Sequence, residues 1–579
     1  MLPHKQIEQK LQQAVRDVLP DADTAAVLVR PCPDPKFGDY QSNALMSLAK
    51  ARKMNPRQLA DSVLQKLDVS EFCEKVEIAG AGFLNFRLKN SSLTQTLDAA
   101  SRGEHLFFDK STQPRTIVVD FSSPNVAKPM HVGHIRSTIL GDCLARTLSL
   151  LGHNVVRDNH IGDWGTQFGM LLVGWKKFLD TKALATDPIA EMERLYKLVS
   201  AACEADPKIR EEARLELVKL QSGDEENLKI WIEMIKLSEK QFDEIYSRLG
   251  VKFDFYYGES FYNDRLKPLV DELLGKKIAA ESEGAIVVFF EGDPQLKDKP
   301  ALIRKSDGGF NYTTTDLATL AFRLEKWQPD EIIYVTDGRQ QLHFHQVFSA
   351  FRKWHGESKT KLAHVWFGSI LGEDGKPFKT RSGETVKLAD LLDEAEERAF
   401  KIVTEKNPDL PDSQRHEIGR VIGIGAVKYA DLLPNRQSDY IFSWDKMLAL
   451  NGNTAPYLQY AYTRIRSIFR KSETGPPAAP KPSGEGGSLV LSAPEELALA
   501  KLLLNFGLTL EAVMEDYRPN FLCAYLYDLA GKFTSFYENC PVLKADEPTR
   551  RSRLVLCDLT ARVLKQGLDV LGIEVVEQM

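Results

Sequence analysis

Thr116-Ile117-Val118-Val119 is an unbroken β-branched run, with Pro114 before it and Asp120 after it. A strand that apolar suits burial on both faces, the condition of a parallel sheet. A parallel neighbour then requires a crossover, normally helical. The sequence supplies one. A short loop, Ser122 to Lys128, leads to Pro129, which is suited to the first turn of a helix. Ile135, Ile139, Leu140, Cys143, Leu144, Leu148 and Leu151 recur at helical spacing up to Gly152, and Val155-Val156 opens the next strand. The unit is βαβ, with a right-handed crossover expected.

The 579 residues leave room for about four domains or lobes. Residues 1–110 read as a small α/β module, with helical spacing at 5–18 and 57–67 and two strand-like runs joined by Gly80-Ala81-Gly82. Lys110 to Pro114 is a turn-prone boundary. Residues 170–250 read as long Glu- and Lys-rich amphipathic helices inserted into the α/β pattern. Strand-like runs return at 285–290, 301–304 and 331–335, with Asp307-Gly308-Gly309 marking a turn. From about residue 390 the pattern is helical, broken by a Pro- and Gly-rich stretch at 471–488, after which Ser492 and Glu495 suggest a capping box.

Composition excludes several classes. Apolar residues at 43% and charged residues at 27% match a globular chain, not a disordered or collagenous one. No apolar run reaches the roughly 18 residues of a membrane span. The first twenty residues lack an apolar signal core, and seven cysteines form no CxxC pair, so a reduced cytoplasmic protein is expected. With 75 basic against 81 acidic residues the net charge is −6, so a nucleic-acid partner requires a local basic face.

The sharpest motif is His131-Val132-Gly133-His134, set where strand gives way to helix. With 11 histidines and 37 glycines, HxGH is expected by chance only about 0.01 times. A helix N-terminus offers free N–H groups and partial positive charge to phosphate. Two imidazoles three apart share a helical face and donate hydrogen bonds. Gly133 leaves space for a flat base or ribose. A metal pair, or two satisfied surface histidines, remain open readings of the motif alone. A second segment, Asp374-Gly375-Lys376-Pro377-Phe378-Lys379-Thr380-Arg381-Ser382-Gly383, is a cationic glycine-bounded loop suited to clamping polyphosphate. The two together suggest one nucleotidyl-transfer site.

These motifs resemble the two signatures of the class I aminoacyl-tRNA synthetases, and their surroundings are similar to arginyl-tRNA synthetases. The resemblance rests on FSSPNVAK (121–128), HVGHIRST (131–138), GDWGTQFG (162–169), NYTTTD (311–316), KPFKTRSG (376–383) and the stretch from Gly423 to Arg464 containing AVKYADL and GNTAPYLQYAYTR. KFGDYQ (36–41) and the C-terminal LGIEVVEQM also fit, so it spans essentially the whole chain. It implies an α/β fold in which a Rossmann-like parallel-sheet catalytic domain occupies 111–440, with a helical insertion at about 170–275. A small N-terminal α/β domain (1–110) contacting the tRNA elbow and an all-α anticodon-binding bundle (441–579) complete it.

It also implies roles. Lys128, His131, His134, Lys379 and Arg381 are catalytic. His131, Gly133, His134, Lys376 and Lys379 bind ATP. Most class I enzymes carry a second lysine where Thr380 stands here, and in the arginyl family a lysine just before the first motif, here Lys128, is held to substitute. Arginine is expected on Ser123, Pro124, Asn125, His134, Tyr312, Asp316 and Gln340. A guanidinium, a planar fork of donors, is best met by a carboxylate. Asp120 is either a second anion for it or the cap of the next loop. Tyr460, Arg464, Arg466 and Arg470 interleave aromatic and basic groups, as contact with unpaired bases and phosphates demands. The implied reaction is arginine–tRNA ligation, with ATP as substrate, Mg2+ accompanying the nucleotide, no protein-bound metal, no membrane and a monomeric chain. Two alternatives stand. A nucleotidylyltransferase of the HxGH type would not need the helical C-terminal third, and a non-catalytic tRNA-binding paralogue would not need Lys128, His131 and His134.

Overall fold

Four parallel strands carry the fold: β1 (Thr116–Asp120), β2 (Asn154–Asp158), β3 (Glu331–Tyr334) and β4 (Lys361–His364), in spatial order β4-β3-β1-β2. The computed structural model describes residues 2–356, 358–379, 385–471 and 489–579. Ile117, Val118 and Val119 of β1 and Ile332 and Ile333 of β3 are fully buried, as central strands covered on both faces require. The edge strands are more polar. β4, with the sequence KLAH, has too little apolar patterning to be read as a strand from sequence, and its pairing with β3 makes it one.

Helices flank these strands: α1 (Val132–Leu150) between β1 and β2, α2 (Glu225–Leu249) in the insertion, α3 (Tyr312–Trp327) before β3, α4 (Gln341–His355) after it, and α5 (Asp412–Leu432). The insertion consists of long helices as its Glu/Lys-rich spacing indicates, the largest at 188–205, 207–221 and 225–249. The runs at 285–288 and 301–304 join 280–282 in a separate antiparallel sheet. Asp307-Gly308-Gly309 forms the turn closing the Arg304–Phe310 bridge, with Gly308 at φ +89°.

The chain divides into two compact units, one of residues 112–449 with 570–573, the other of 1–111 with 450–569 and 574–579. In the second, the N-terminal module holds a four-stranded antiparallel sheet whose hairpin, Cys73–Ala79 and Phe83–Leu88, turns at Gly80-Ala81-Gly82. It is tied to the C-terminal helices by Lys5–Glu511 and Arg30–Glu515 at 2.9 Å and by Lys501–Asp39 at 2.8 Å. One cap shifts from its expected place. The helix Pro494–Leu503 is closed by Glu496, not Glu495, whose carboxylate accepts the N–H groups of Ser492 (2.7 Å) and Ala493 (3.0 Å), because Pro494 sets the helix start one residue later. The stretch 472–488 lies outside the described residues.

Candidate active site at the strand ends

The β1→β2 and β3→β4 connections run in opposite directions across the sheet, so the switch point lies between β1 and β3, where ligands bind in open α/β folds. Three segments converge there: the β1–α1 loop, the segment after β3 and the return from the cationic loop.

Helix α1 starts at Val132. His131 is its N-cap, in extended conformation (φ −125°, ψ 170°), so Pro129 precedes the cap and does not occupy the first turn. The start is displaced because the two histidines cap the helix themselves. His131 Nδ1 accepts the Gly133 N–H at 3.0 Å, and His134 Nδ1 accepts the His131 N–H at 3.1 Å. Each Nδ1 is therefore an acceptor, which puts the ring proton on Nε2 and leaves that N–H as the available donor. Burial first, then the charges of Lys128 and Arg339, lower the His131 pKa, and burial first, then His131, takes His134 to about 3. Both rings are neutral donors at neutral pH. Gly133 has an internal requirement before any ligand arrives, since a Cβ there would lie 2.8–2.9 Å from the His131 ring.

The cationic segment reaches this cap by backbone pairing. Leu371 and Pro377 form an antiparallel bridge, as do Lys379 and Thr385, around a turn with Gly375 at φ +72°. The returning strand then pairs with the histidine segment. Val132 N–H donates to Val386 O, Leu388 N–H donates to Met130 O (2.9 Å each), and His131 bridges Lys387. Before the loop, Ile370–Leu371 pairs in parallel with Tyr440–Ile441. Buried Arg136 of α1 braces that junction, donating to Gly368 O at 2.7 Å and pairing with Asp431 at 3.0 Å. Lys376 and Lys379 are exposed on the loop. Thr380, Arg381, Ser382 and Gly383 lie outside the described residues, and the Arg381 assignment with them.

The β1–α1 loop is conformationally unusual. Ser122, Ser123 and Ala127 have φ of +73°, +50° and +62°, a left-handed cluster of non-glycine residues. Ser123 is half-buried, Pro124 buried, and Asn125 and Lys128 exposed. The Lys128 ammonium stands 5.1 Å from the Tyr196 ring centre.

Tyr312 and Asp316 lie one turn apart at the start of α3, as their spacing suggests. His343 of α4 joins them, its Nε2 2.5 Å from Asp316 Oδ2 and its ring 5.3 Å from the Tyr312 ring. Gln340 is exposed in the turn preceding α4. Glu259 is a half-buried carboxyl that sequence reasoning does not single out. Burial, opposed by the charge of His160 and aided by those of Asp316 and Asp163, raises the Glu259 pKa to about 7. Glu259 sits in a short 3-10 turn with no periodicity to announce it. Arg339, whose charge acts on His131, was also missed.

Asp120 is not a second anion for a ligand. Its Oδ2 accepts from Arg323 at 2.6 Å and its Oδ1 from the Ser123 hydroxyl at 3.3 Å, while Arg323 also holds Asp158 at 2.8 Å. The fully buried guanidinium of α3 takes the place a ligand would need. In the other unit, the helix Ala455–Lys471 exposes Tyr460, Arg470 and Lys471. Arg464 lies over the Tyr537 ring at 4.8 Å. Arg466 pairs with Glu577 at 2.8 Å and Arg470 donates to the Glu577 carbonyl at 2.6 Å, so the C-terminal segment occupies both.

The chain matches three family models: tRNA synthetases class I (R), catalytic domain, over residues 96–444; the DALR anticodon binding domain over 458–579; and the arginyl tRNA synthetase N terminal domain over 5–88. It is 47% identical to the arginine–tRNA ligase of Hahella chejuensis over 99% of both chains and 46% identical to that of Chromobacterium violaceum over 100% of both. Among solved structures it resembles an arginyl-tRNA synthetase from Plasmodium falciparum (31% identity, TM-score 0.82, 100% of this chain and 99% of that one). It also resembles the Thermus thermophilus arginyl-tRNA synthetase (27%, TM-score 0.84, 100% of both).

Proposed function

The chain belongs to the class I arginyl-tRNA synthetases and is an arginine–tRNA ligase, and from that premise we propose how its residues divide the reaction. Arginine's carboxylate attacks the α-phosphate of ATP, forming arginyl-adenylate and releasing pyrophosphate. The 2′-hydroxyl at the tRNA 3′ end then attacks the activated carbonyl, and AMP leaves. Little covalent chemistry falls to the protein, so orientation and charge supply the rate.

His131 and His134 donate Nε2–H to the phosphates from the positive end of the α1 dipole. Lys128, with Lys376, Lys379 and Arg381 of the cationic segment, meets the charge that develops as pyrophosphate departs. Mg2+ enters with the nucleotide as a counter-ion on its phosphates. Asp316 and Glu259 form the anionic end of the amino-acid site and Tyr312 and Gln340 its walls, with Ser123, Pro124, Asn125 and His134 around the amino and carboxylate groups. An analogue without a guanidinium leaves these half-buried carboxyls without a fixed cation, which is a strong basis for rejection. Tyr460 and Arg464 take the anticodon stem-loop, and the chain acts as a cytoplasmic monomer.

The observation carrying this reading is the backbone pairing of 386–388 with 130–132, which brings the cationic loop to the histidine cap. The test is ATP–pyrophosphate exchange with each amino acid, with and without tRNA whose 3′ end has been oxidised. Exchange with arginine alone, and only when that tRNA is present, is the expected result. Exchange driven by lysine or by no amino acid overturns the site assignment, and brisk exchange without tRNA overturns the tRNA requirement.

A further inference from the structure

Helix α2, within the helical insertion, belongs by sequence to an appendage of the sheet, yet one broad face of it is bonded to the loops at the strand ends. Trp231 Nε1 donates to Asp163 O at 3.0 Å, Ser238 Oγ accepts the Ala127 N–H at 2.9 Å, and the Tyr246 hydroxyl lies 2.7 Å from Ser122 Oγ and 3.0 Å from Asn159 Nδ2. The Tyr246 contacts permit only one set of proton positions. Thr138 donates to His134 O at 2.8 Å, so its oxygen must accept from Ser122 Oγ, also at 2.8 Å. Ser122 then has only its lone pairs to offer, and Tyr246 donates to it. An amide nitrogen can only donate, so Asn159 Nδ2 gives its proton to the Tyr246 oxygen.

The result is a directed chain, Asn159 to Tyr246 to Ser122 to Thr138 to the carbonyl of His134. Its members are all buried, at 0% exposure for Asn159 and Thr138, 2% for Tyr246 and 5% for Ser122. Hydrogen bonds in such surroundings polarise one another, and each is costly to leave unmade. Asn159 closes a second branch, its Oδ1 accepting the Ser123 N–H at 3.0 Å. Both serines are in the left-handed region, at +73° and +50°, a conformation that persists only where its surroundings dictate it. Burial raises the Tyr246 pKa far above the ordinary phenol value, which keeps it a donor throughout the working range.

We propose that Tyr246 of the helical insertion is a positioning residue for the amino-acid site: its hydroxyl holds Ser122 and Ser123 in their left-handed conformation and so sets where Ser123 and Asn125 meet arginine. This rests on the reading of Ser123 and Asn125 as arginine contacts. It makes the insertion part of the substrate site, and it ties the arginine loop to the same helix that presents the histidines.

The test is steady-state exchange kinetics of the full chain with tRNA present. Tyr246→Phe keeps the ring and removes one oxygen. The expected result is at least a tenfold rise in KM for arginine with KM for ATP within twofold of the parent. Ser122→Ala, a smaller change that breaks the same chain, should give the same split and serves if Tyr246→Phe does not accumulate. The double variant should be no worse than the more affected single one, because both interrupt a single network. A merely structural role would instead raise both KM values and add. Asn125→Ala examines the underlying reading: an unchanged KM for arginine there ends it. A raised KM in Asn125→Ala with a normal one in Tyr246→Phe and Ser122→Ala overturns the role of Tyr246 alone.

Discussion

Two acidic groups lie at the strand ends. Asp120 and Asp158 are neighbours on β1 and β2 and share the buried guanidinium of Arg323 at 2.6 and 2.8 Å. Among the described residues no lysine or arginine pairs with Asp316 or Glu259: Asp316 is met by His343 at 2.5 Å, and burial, opposed by the charge of His160 and aided by that of Asp316, raises the Glu259 pKa to about 7. The first group is completed by the chain and is structural. The second is half-buried and, among the described residues, has imidazoles in place of a fixed cation. Carboxylates the fold neutralises itself stabilise it, and those it leaves unneutralised are available to a cationic substrate.

The comparison breaks first at Arg323. Arg323→Met should strand two buried carboxylates and lower stability by about 3–5 kcal/mol. Urea unfolding measures this, and a loss under about 1 kcal/mol would show that the group is not the closed pair described.

Lys128 is the mirror case, an exposed cation whose removal should leave stability unchanged. Lys128→Ala should lower the rate of adenylate formation by roughly 100-fold or more, in turnover more than in the Michaelis constant. Lys379→Ala should cost less, and the reverse order in single-turnover kinetics would transfer the role to the loop. Asp316→Asn comes next, with arginine activation down at least tenfold (about 1.4 kcal/mol) and ATP binding intact. An unaltered KM for arginine removes Asp316 from the guanidinium site.

The smaller effects lie in pH. The folded-state pKa of Glu259, about 7, exceeds its ordinary 4.5. Its stabilising contribution is therefore complete below about pH 4.5 and lost as pH rises through 7. Glu259→Gln should flatten that loss in thermal melts, and the stabilisation conferred by arginine should grow between about pH 6 and 8, because the guanidinium favours the ionised carboxyl. A ligand-induced shift independent of pH would contradict this. His134 has the opposite sign. Its pKa falls from 6.5 to about 3, so its contribution is present above 6.5 and lost as pH drops toward 3. His134→Gln should blunt the acid limb of the same melts, and an unchanged limb would mean that the cap is not the titrating element.

Local chemistry determined a good deal of this protein by sequence alone. The β-branched run of β1, the 3.6-residue spacing of α1 and the hairpin glycines at 80–82 are signals within one element, set by backbone sterics and burial period, and each appears in the structure where it was expected. HVGH and the cationic loop were legible for the same reason, as short motifs whose chemistry lies in their own residues. The tertiary structure decided whatever depends on partners distant in the chain. KLAH became a strand only by pairing with β3, Pro129 lost the helix start to two imidazoles that cap it, and Asp120 was claimed by a guanidinium 203 residues away. Glu259 acquired its meaning from Asp316, and Tyr246 from Ser122, 124 residues before it. A carboxyl or hydroxyl is the same chemical group wherever it stands, and only folding sets its desolvation and supplies its neighbours, the two quantities that separate a structural group from a functional one.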